Sequence, residues 1–166
     1  MKYTDFEISA QRHLESCYHI LDNLAVSHIP YKKQQEIRLI LNIYYLSGYA
    51  IECSLKFAFF KAMRLPKSNE IEFNYTIGTE ICDLKTHNLA QLIRYLVIVD
   101  TSLPRDIPMI TQLITNLPHK TLANKWNSEI RYSPDYARTS FSLDSALIRA
   151  YLDNVVKPIF EKLTRR

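Results

Sequence analysis

A glutamate and a lysine lie in the middle of the most apolar stretch of this chain. The stretch runs from Leu39 to Phe60, and Glu52 and Lys56 are its charged residues. At helical spacing Glu52 falls about 40° from Gly48, inside an apolar sector of the helix. A buried carboxylate is costly unless it is paired or protonated, and Lys56 lies one turn further on, where it can pair with Glu52. The pair is therefore either a buried structural feature or part of a polar pocket.

The sequence lacks the patterns of the common cofactor and metal enzymes. Its two glycines, at positions 48 and 78, do not make a glycine-rich phosphate loop, and there is no H-E-x-x-H or C-x-x-C. The cysteines Cys17, Cys53 and Cys82 have no metal-type spacing and are odd in number. We therefore predict no cofactor and no metal site, and the unpaired cysteines favour a reducing cytoplasm.

The elements that must position Glu52 are predicted to be helices. The segment around Gly48 is apolar on most of its circumference, which is typical of the central helix of a bundle or of a helix with one face against a partner subunit. Helices are predicted over about 4–27, 31–63 and 107–117, with another starting at 86 or 88 and a last one after 142. The fold class is all-α, an up-and-down bundle of about five helices forming one domain over residues 1–166.

Three segments interrupt this helical pattern. Polar and apolar residues alternate from Glu70 to Ile77, and an ordered loop after the long second helix is favoured there over a sheet because no strand partner is evident. Pro118 is expected to close the fourth helix and to be followed by an irregular segment to Phe141. Pro158 is expected to kink or end the last helix.

Charge and hydropathy limit the kinds of partner. The formal net charge of +4 permits an acidic or nucleic-acid partner without demanding one. The long apolar stretch is interrupted by Asn42, Glu52 and Lys56, which argues against a membrane span. The first residues, MKYTDFE, lack the apolar core of a signal peptide. We predict a cytoplasmic protein with no membrane partner.

Three separated motifs carry a resemblance to a known family. They are Y-x-x-G-Y-A-I-E-C-x-L-K from Tyr45 to Lys56, T-H-N-L-x-x-L from Thr86 to Leu92, and W-x-x-E-x-R-Y from Trp126 to Tyr132. In this order they resemble segments of HEPN-domain proteins. The resemblance implies a HEPN-like helical domain that commonly forms homodimers.

The resemblance also implies a possible enzymatic activity. Many HEPN domains are similar to metal-independent ribonucleases in which the arginine of R-x(4–6)-H binds phosphate and the histidine transfers a proton. Arg131 matches the expected arginine, but no histidine follows it within the expected distance. Arg12 and His19 have the literal spacing, which we interpret as coincidence. The catalytic candidates are therefore Arg131 and His87.

The resemblance gathers six residues into one constellation, which has two interpretations. In a ligand pocket Arg131 and Lys56 would bind phosphate, an aromatic ring would stack on a base, and His87 would donate a hydrogen bond. In a buried network, the favoured interpretation, Arg131 or His87 would neutralise Glu52. The six residues are Glu52, Lys56, His87, Trp126, Arg131 and Tyr132.

Three functions remain open from the sequence. The first is a HEPN-like, non-catalytic homodimeric module that binds nucleotide, RNA or a protein partner, for which the resemblance suggests a nucleotidyltransferase of a toxin–antitoxin or defence system. The second is a metal-independent HEPN ribonuclease with a rearranged active site, and the third is a structural dimerisation protein.

Overall fold

A computed structural model describes residues 1–26, 33–67, 69–101, 117–132 and 143–165. Its helices are α1 (Thr4–Val26), α2 (Lys33–Ala62), α3 (Leu89–Val99), α4 (Leu117–Lys125), α5 (Ser145–Tyr151) and α6 (Lys157–Thr164). A 3₁₀ helix spans Ser128–Tyr132, and a π-helical segment, Leu152–Val156, joins α5 to α6. The fold is a mostly helical bundle with one small sheet.

Helix α2 is the centre of the bundle, as its sequence predicts. Every residue from Ala50 to Phe60 is buried, on all sides of the helix. Helices α1, α3 and α6 and the π-helical segment pack around it. The chain itself thus covers the apolar circumference that suggested a partner subunit, so this stretch gives no argument for a homodimer.

A β-hairpin follows α2, and the expectation of a loop there is wrong. Strand β1 (Asn74–Ile77) pairs antiparallel with β2 (Glu80–Asp83), in a register that places Ile77 opposite Glu80. Gly78 has φ +60°, and as the first residue of a two-residue connection it has the conformation that favours a tight hairpin turn. The ring of Tyr75 lies 5.7 Å from that of Phe60, between centroids, so the hairpin packs on the end of α2.

Helix α3 begins where its sequence predicts. The side chain of Asn88 accepts a hydrogen bond from the backbone N–H of Gln91 and caps the helix. The buried face of α3 consists of Leu92, Tyr95 and Leu96, at the spacing of one helical stripe.

The region after residue 116 differs from the prediction. Pro118 lies in the first turn of α4 rather than after a helix, where its missing N–H costs nothing. The segment expected to be irregular is thus helical over 117–125 and 128–132, and residues 133–142 lie outside the described part. The predicted helix over 107–117 also lies there, except for Leu117.

The last helix continues through Pro158. The backbone N–H of Lys157 donates to the carbonyl of Leu152, five residues earlier, and α6 continues to Thr164. This change of register just before the proline places it at the start of a new α-helical segment, where proline is tolerated. Of the two outcomes predicted for Pro158, an end of the helix is wrong, because the helix continues with a change of register before the proline.

Candidate functional site

Glu52 and Lys56 form a buried ion pair on α2. Both residues are almost fully buried, and Nζ of Lys56 donates to Oε1 of Glu52 over 2.7 Å. The ammonium group also lies 5.9 Å from the centre of the Phe6 ring on α1. Lys56 thus belongs to a closed network and does not offer its charge to a phosphate.

His87 is the second partner of Glu52. Its Nδ1 lies 2.9 Å from Oε2 of Glu52, and 48% of the side chain is exposed. Because a carboxylate oxygen accepts, the hydrogen bond fixes the proton on Nδ1 and leaves Nε2 for another group. The buried carboxylate of Glu52 therefore orients the side chain of His87 at the protein surface.

The residues on either side of His87 in the sequence, Thr86 and Asn88, fix its backbone position by hydrogen bonds. Oγ1 of Thr86 accepts from the backbone N–H of Asn88 at 3.1 Å and contacts the side chain of Gln91 at 3.2 Å. Asn88 in turn caps α3. The turn and the helix start therefore fix the backbone of His87 independently of its bond to Glu52.

Trp126 packs directly onto Gly48 of α2. A Cβ atom at position 48 would lie 1.9 Å from Cε2 and Nε1 of the indole, so only glycine fits beneath this ring. The indole Nε1 donates to the carbonyl of Tyr45 at 3.1 Å. On the same side, the hydroxyl of Tyr44 donates to the carbonyl of Leu122 at 2.6 Å. These contacts fix the end of α4 against the middle of α2.

Aromatic rings connect the parts of the site. The ring of Tyr49 lies 5.3 Å from that of Trp126, 5.9 Å from His87, 4.9 Å from Tyr45 and 5.7 Å from His13 on α1, between centroids. Burial and, secondarily, the neighbouring Arg12 lower the pKa of His13, while Glu52 acts in the opposite direction. We expect His13 to be neutral at pH 7, beside the same carboxylate that orients His87.

A pocket of about 350 Å³ opens next to His87. It lies between the start of α3, the end of α4 and the 3₁₀ helix, with Ile51 of α2 and Ile159 of α6 among its apolar residues. Its volume is in the usual range of small-molecule sites. The polar and aromatic side chains of the lining are His87, Asn88, Asn124, Trp126, Asn127 and Ser128.

The structure brings together four of the six residues predicted from the sequence. Glu52, Lys56 and His87 are directly bonded, and Trp126 lines the same pocket as His87. Arg131 and Tyr132 lie in the 3₁₀ helix, but their side chains are outside the described part. Whether Arg131 reaches Glu52 or a ligand therefore stays a prediction.

Arg12 and His19 do not form a site among the described residues. Both are exposed on α1, and the His19 ring hydrogen-bonds Asn23. Sequence reasoning did not include His13, Tyr49 or the asparagines of the pocket. The aromatic spacing of Tyr45 and Tyr49 on one helical face was a usable signal, but nothing in the sequence indicates that the ends of α3 and α4 meet.

Within the described ranges no helix has the length and apolarity to cross a membrane, and no group of three or more His, Cys, Asp or Glu side chains could hold a metal ion. Comparisons with protein-family models, curated proteins and solved structures gave no significant match. The resemblance to HEPN domains therefore rests on its three motifs.

Proposed function

We propose that this chain is a HEPN-like binding module whose ligand is a nucleotide or RNA. The observation that carries the proposal is a half-exposed histidine, His87, held by the buried Glu52 at the edge of a pocket of about 350 Å³. An oriented histidine supplies a hydrogen bond to a ligand without the entropic cost of fixing a free side chain. The exposed ring of His87 is of the kind that stacks on bases, and the nearly buried Trp126 forms part of the pocket wall.

The proposed module forms a homodimer and works with a protein partner, for which the resemblance suggests a nucleotidyltransferase of a toxin–antitoxin or defence system. Light scattering of the purified chain measures its oligomeric state and so tests the homodimer. Co-purification with a nucleotidyltransferase encoded beside it tests the protein partner. A monomer at micromolar concentration would refute the homodimer without affecting the pocket.

The direct test is ligand binding followed by tryptophan fluorescence. Trp126 is the only tryptophan of the chain and lines the pocket, so a bound base changes its emission. We expect nucleoside monophosphates and short RNA to change the signal, and the His87→Ala variant to bind at least about tenfold more weakly, the effect of one hydrogen bond to a charged group. His19→Ala, on the exposed side of α1, is the matched control and should bind normally. Equal binding by both variants would contradict a role for His87.

A second function, metal-independent ribonuclease, is favoured by the same hydrogen bond. With Nδ1 bound to Glu52, Nε2 of His87 is free to transfer a proton to or from a ribose hydroxyl, and Arg131 would stabilise the phosphate. If this function is present, purified protein cleaves RNA in EDTA, and both His87→Ala and Arg131→Ala abolish cleavage while circular dichroism stays unchanged. Binding without cleavage would leave the non-catalytic module.

A further inference from the structure

Lys56, Glu52 and His87 form a chain of hydrogen bonds that runs from the core to the surface. The carboxylate uses a different oxygen for each partner, since Oε1 lies 2.7 Å from Nζ of Lys56 and Oε2 lies 2.9 Å from Nδ1 of His87. The direction of both bonds is fixed, because an ammonium group only donates and a carboxylate only accepts. His87 therefore donates from Nδ1.

The proton on Nδ1 determines what the other ring nitrogen can do. In a neutral imidazole one nitrogen donates and the other accepts, so Nε2 of neutral His87 is an acceptor. Lys56 already compensates the charge of the buried Glu52, so the carboxylate does not need a second positive charge on His87. No described residue bonds Nε2. His87 thus offers the pocket one acceptor on a ring whose orientation is fixed.

The lining of the pocket also suits an uncharged ligand group at this position. No Lys, Arg, Asp or Glu side chain is among its described lining residues. Phosphate oxygens are usually bound by Arg or Lys side chains or by backbone N–H groups, all of which donate. An acceptor nitrogen does not bind such an oxygen. The ligand group that meets Nε2 must carry a hydrogen of its own, as a hydroxyl or an amino group does.

We propose that the buried pair of Lys56 and Glu52 presents His87 to the ligand as a hydrogen-bond acceptor, and that His87 binds a hydroxyl or amino group of a nucleotide rather than its phosphate. Lys56 is a positioning residue in this arrangement, because it acts through Glu52. The inference rests on the proposed function, since it concerns the same histidine, but it makes a narrower claim about which part of the ligand His87 contacts.

The Glu52→Gln variant should reverse the hydrogen bond to His87. Lys56 still needs an acceptor, so the amide oxygen stays on Nζ and the NH₂ group faces His87. Nδ1 must then accept, and the ring proton moves to Nε2. Nitrogen-15 NMR of the imidazole distinguishes the two tautomers without any ligand. At pH 8 we expect the proton on Nδ1 in the wild type and on Nε2 in Glu52→Gln.

Two further variants make this spectrum interpretable. The chain has five histidines, and the signals missing from His87→Ala identify those of His87. Glu15→Gln is the matched control, because Glu15 is an exposed carboxylate on α1 that accepts from Gln11, and its substitution should leave the His87 tautomer unchanged. A wild-type proton on Nε2 would refute the inference whether or not Glu52→Gln folds.

The fluorescence of Trp126 measures the consequence for binding. The probes are adenosine, 2′,3′-dideoxyadenosine, which lacks the ribose hydroxyls, and purine riboside, which lacks the amino group of the base. We expect one of the two analogues to bind the wild type about three- to tenfold more weakly than adenosine, the effect of one hydrogen bond between uncharged groups. In Glu52→Gln the same analogue should bind about as well as adenosine. The analogue affected shows whether His87 contacts the ribose or the base.

The outcomes separate this inference from the function beneath it. If all three probes bind the wild type equally, or if an analogue is weakened equally in the wild type and in Glu52→Gln, the inference is refuted while nucleotide binding stands. If adenosine monophosphate binds and no nucleoside does, the ligand is held by its phosphate and the inference is again refuted. If neither class binds, the proposed function itself fails, and the inference about its ligand fails with it.

Discussion

Replacing Gly48 with alanine tests the contact between α2 and the end of α4. The added methyl group would lie 1.9 Å from the indole of Trp126, which is buried, so the ring must move. Overpacking of this kind costs roughly 1–3 kcal/mol. Displacing the ring also weakens the hydrogen bond from Nε1 to the Tyr45 carbonyl, by about 1 kcal/mol.

One contribution has the opposite sign. Alanine is a better helix former than glycine by about 1 kcal/mol, and position 48 lies well inside α2. The sum is a loss of about 2 kcal/mol in the free energy of unfolding, obtained from these three contributions. For a chain of this length we expect the melting temperature to fall by roughly 4–8 °C.

Urea denaturation monitored by circular dichroism measures this loss. The matched experiment repeats the substitution in a Trp126→Ala background, where the ring that causes the clash is absent. There we expect Gly48→Ala to stabilise the protein by up to about 1 kcal/mol, because only the helix-forming effect remains. Stabilisation by Gly48→Ala in the wild-type background would show that the indole does not need this glycine.

The remaining predictions concern buried polar groups. Glu52→Leu should cost roughly 3–5 kcal/mol in urea denaturation, because it leaves the ammonium of Lys56 buried and unpaired, while a Glu52→Leu, Lys56→Met double variant should recover much of that loss. Burial lowers the pKa of His119, so its contribution to stability is present above the ordinary pKa of about 6.5 and is lost as the pH falls toward the folded-state value. The drop in unfolding free energy between pH 7.5 and pH 5.5 should therefore be smaller in His119→Gln, and an equal drop would refute this assignment. Burial raises the pKa of Cys17 and of Cys53 to about 12, so these thiols should resist Ellman's reagent in the native protein and react in urea.

The helical core could be predicted from the sequence because its signals are local. The apolar circumference of α2 and the Asn88 cap of α3 each depend on residues within a few helical turns of one another in the sequence. Both features are found in the structure. The pairing of Glu52 with Lys56 follows from one helical turn in the same way. Such features depend on the period of the helix rather than on distant residues.

The hairpin, the position of Pro118 and the pocket are harder to predict. They depend on contacts between distant parts of the chain, or on a residue type that is compatible with more than one structure. The hairpin is hard to predict because β2, Glu80–Asp83, is only four residues long and its sequence, E-I-C-D, does not alternate, although Gly78 is a usable turn signal. Pro118 is compatible with either end of a helix, and the sequence alone does not decide between them. The pocket depends on contacts between α2, α3 and α4, and its lining residues Ile51, His87 and Asn124 are each more than thirty residues apart along the chain.

The π-helical segment before Pro158 makes the length of this part of the chain critical. The hydrogen bond from Lys157 to Leu152 spans five residues where an α-helix spans four, so the helix takes up one extra residue just before the proline. Deleting a single residue between Leu152 and Val156 would remove this extra residue, and the segment would then continue into α6 as a regular α-helix. The same deletion would place the proline ring against a carbonyl of the preceding turn. Homologous chains that keep the proline should therefore keep the number of residues before it, whatever substitutions they carry.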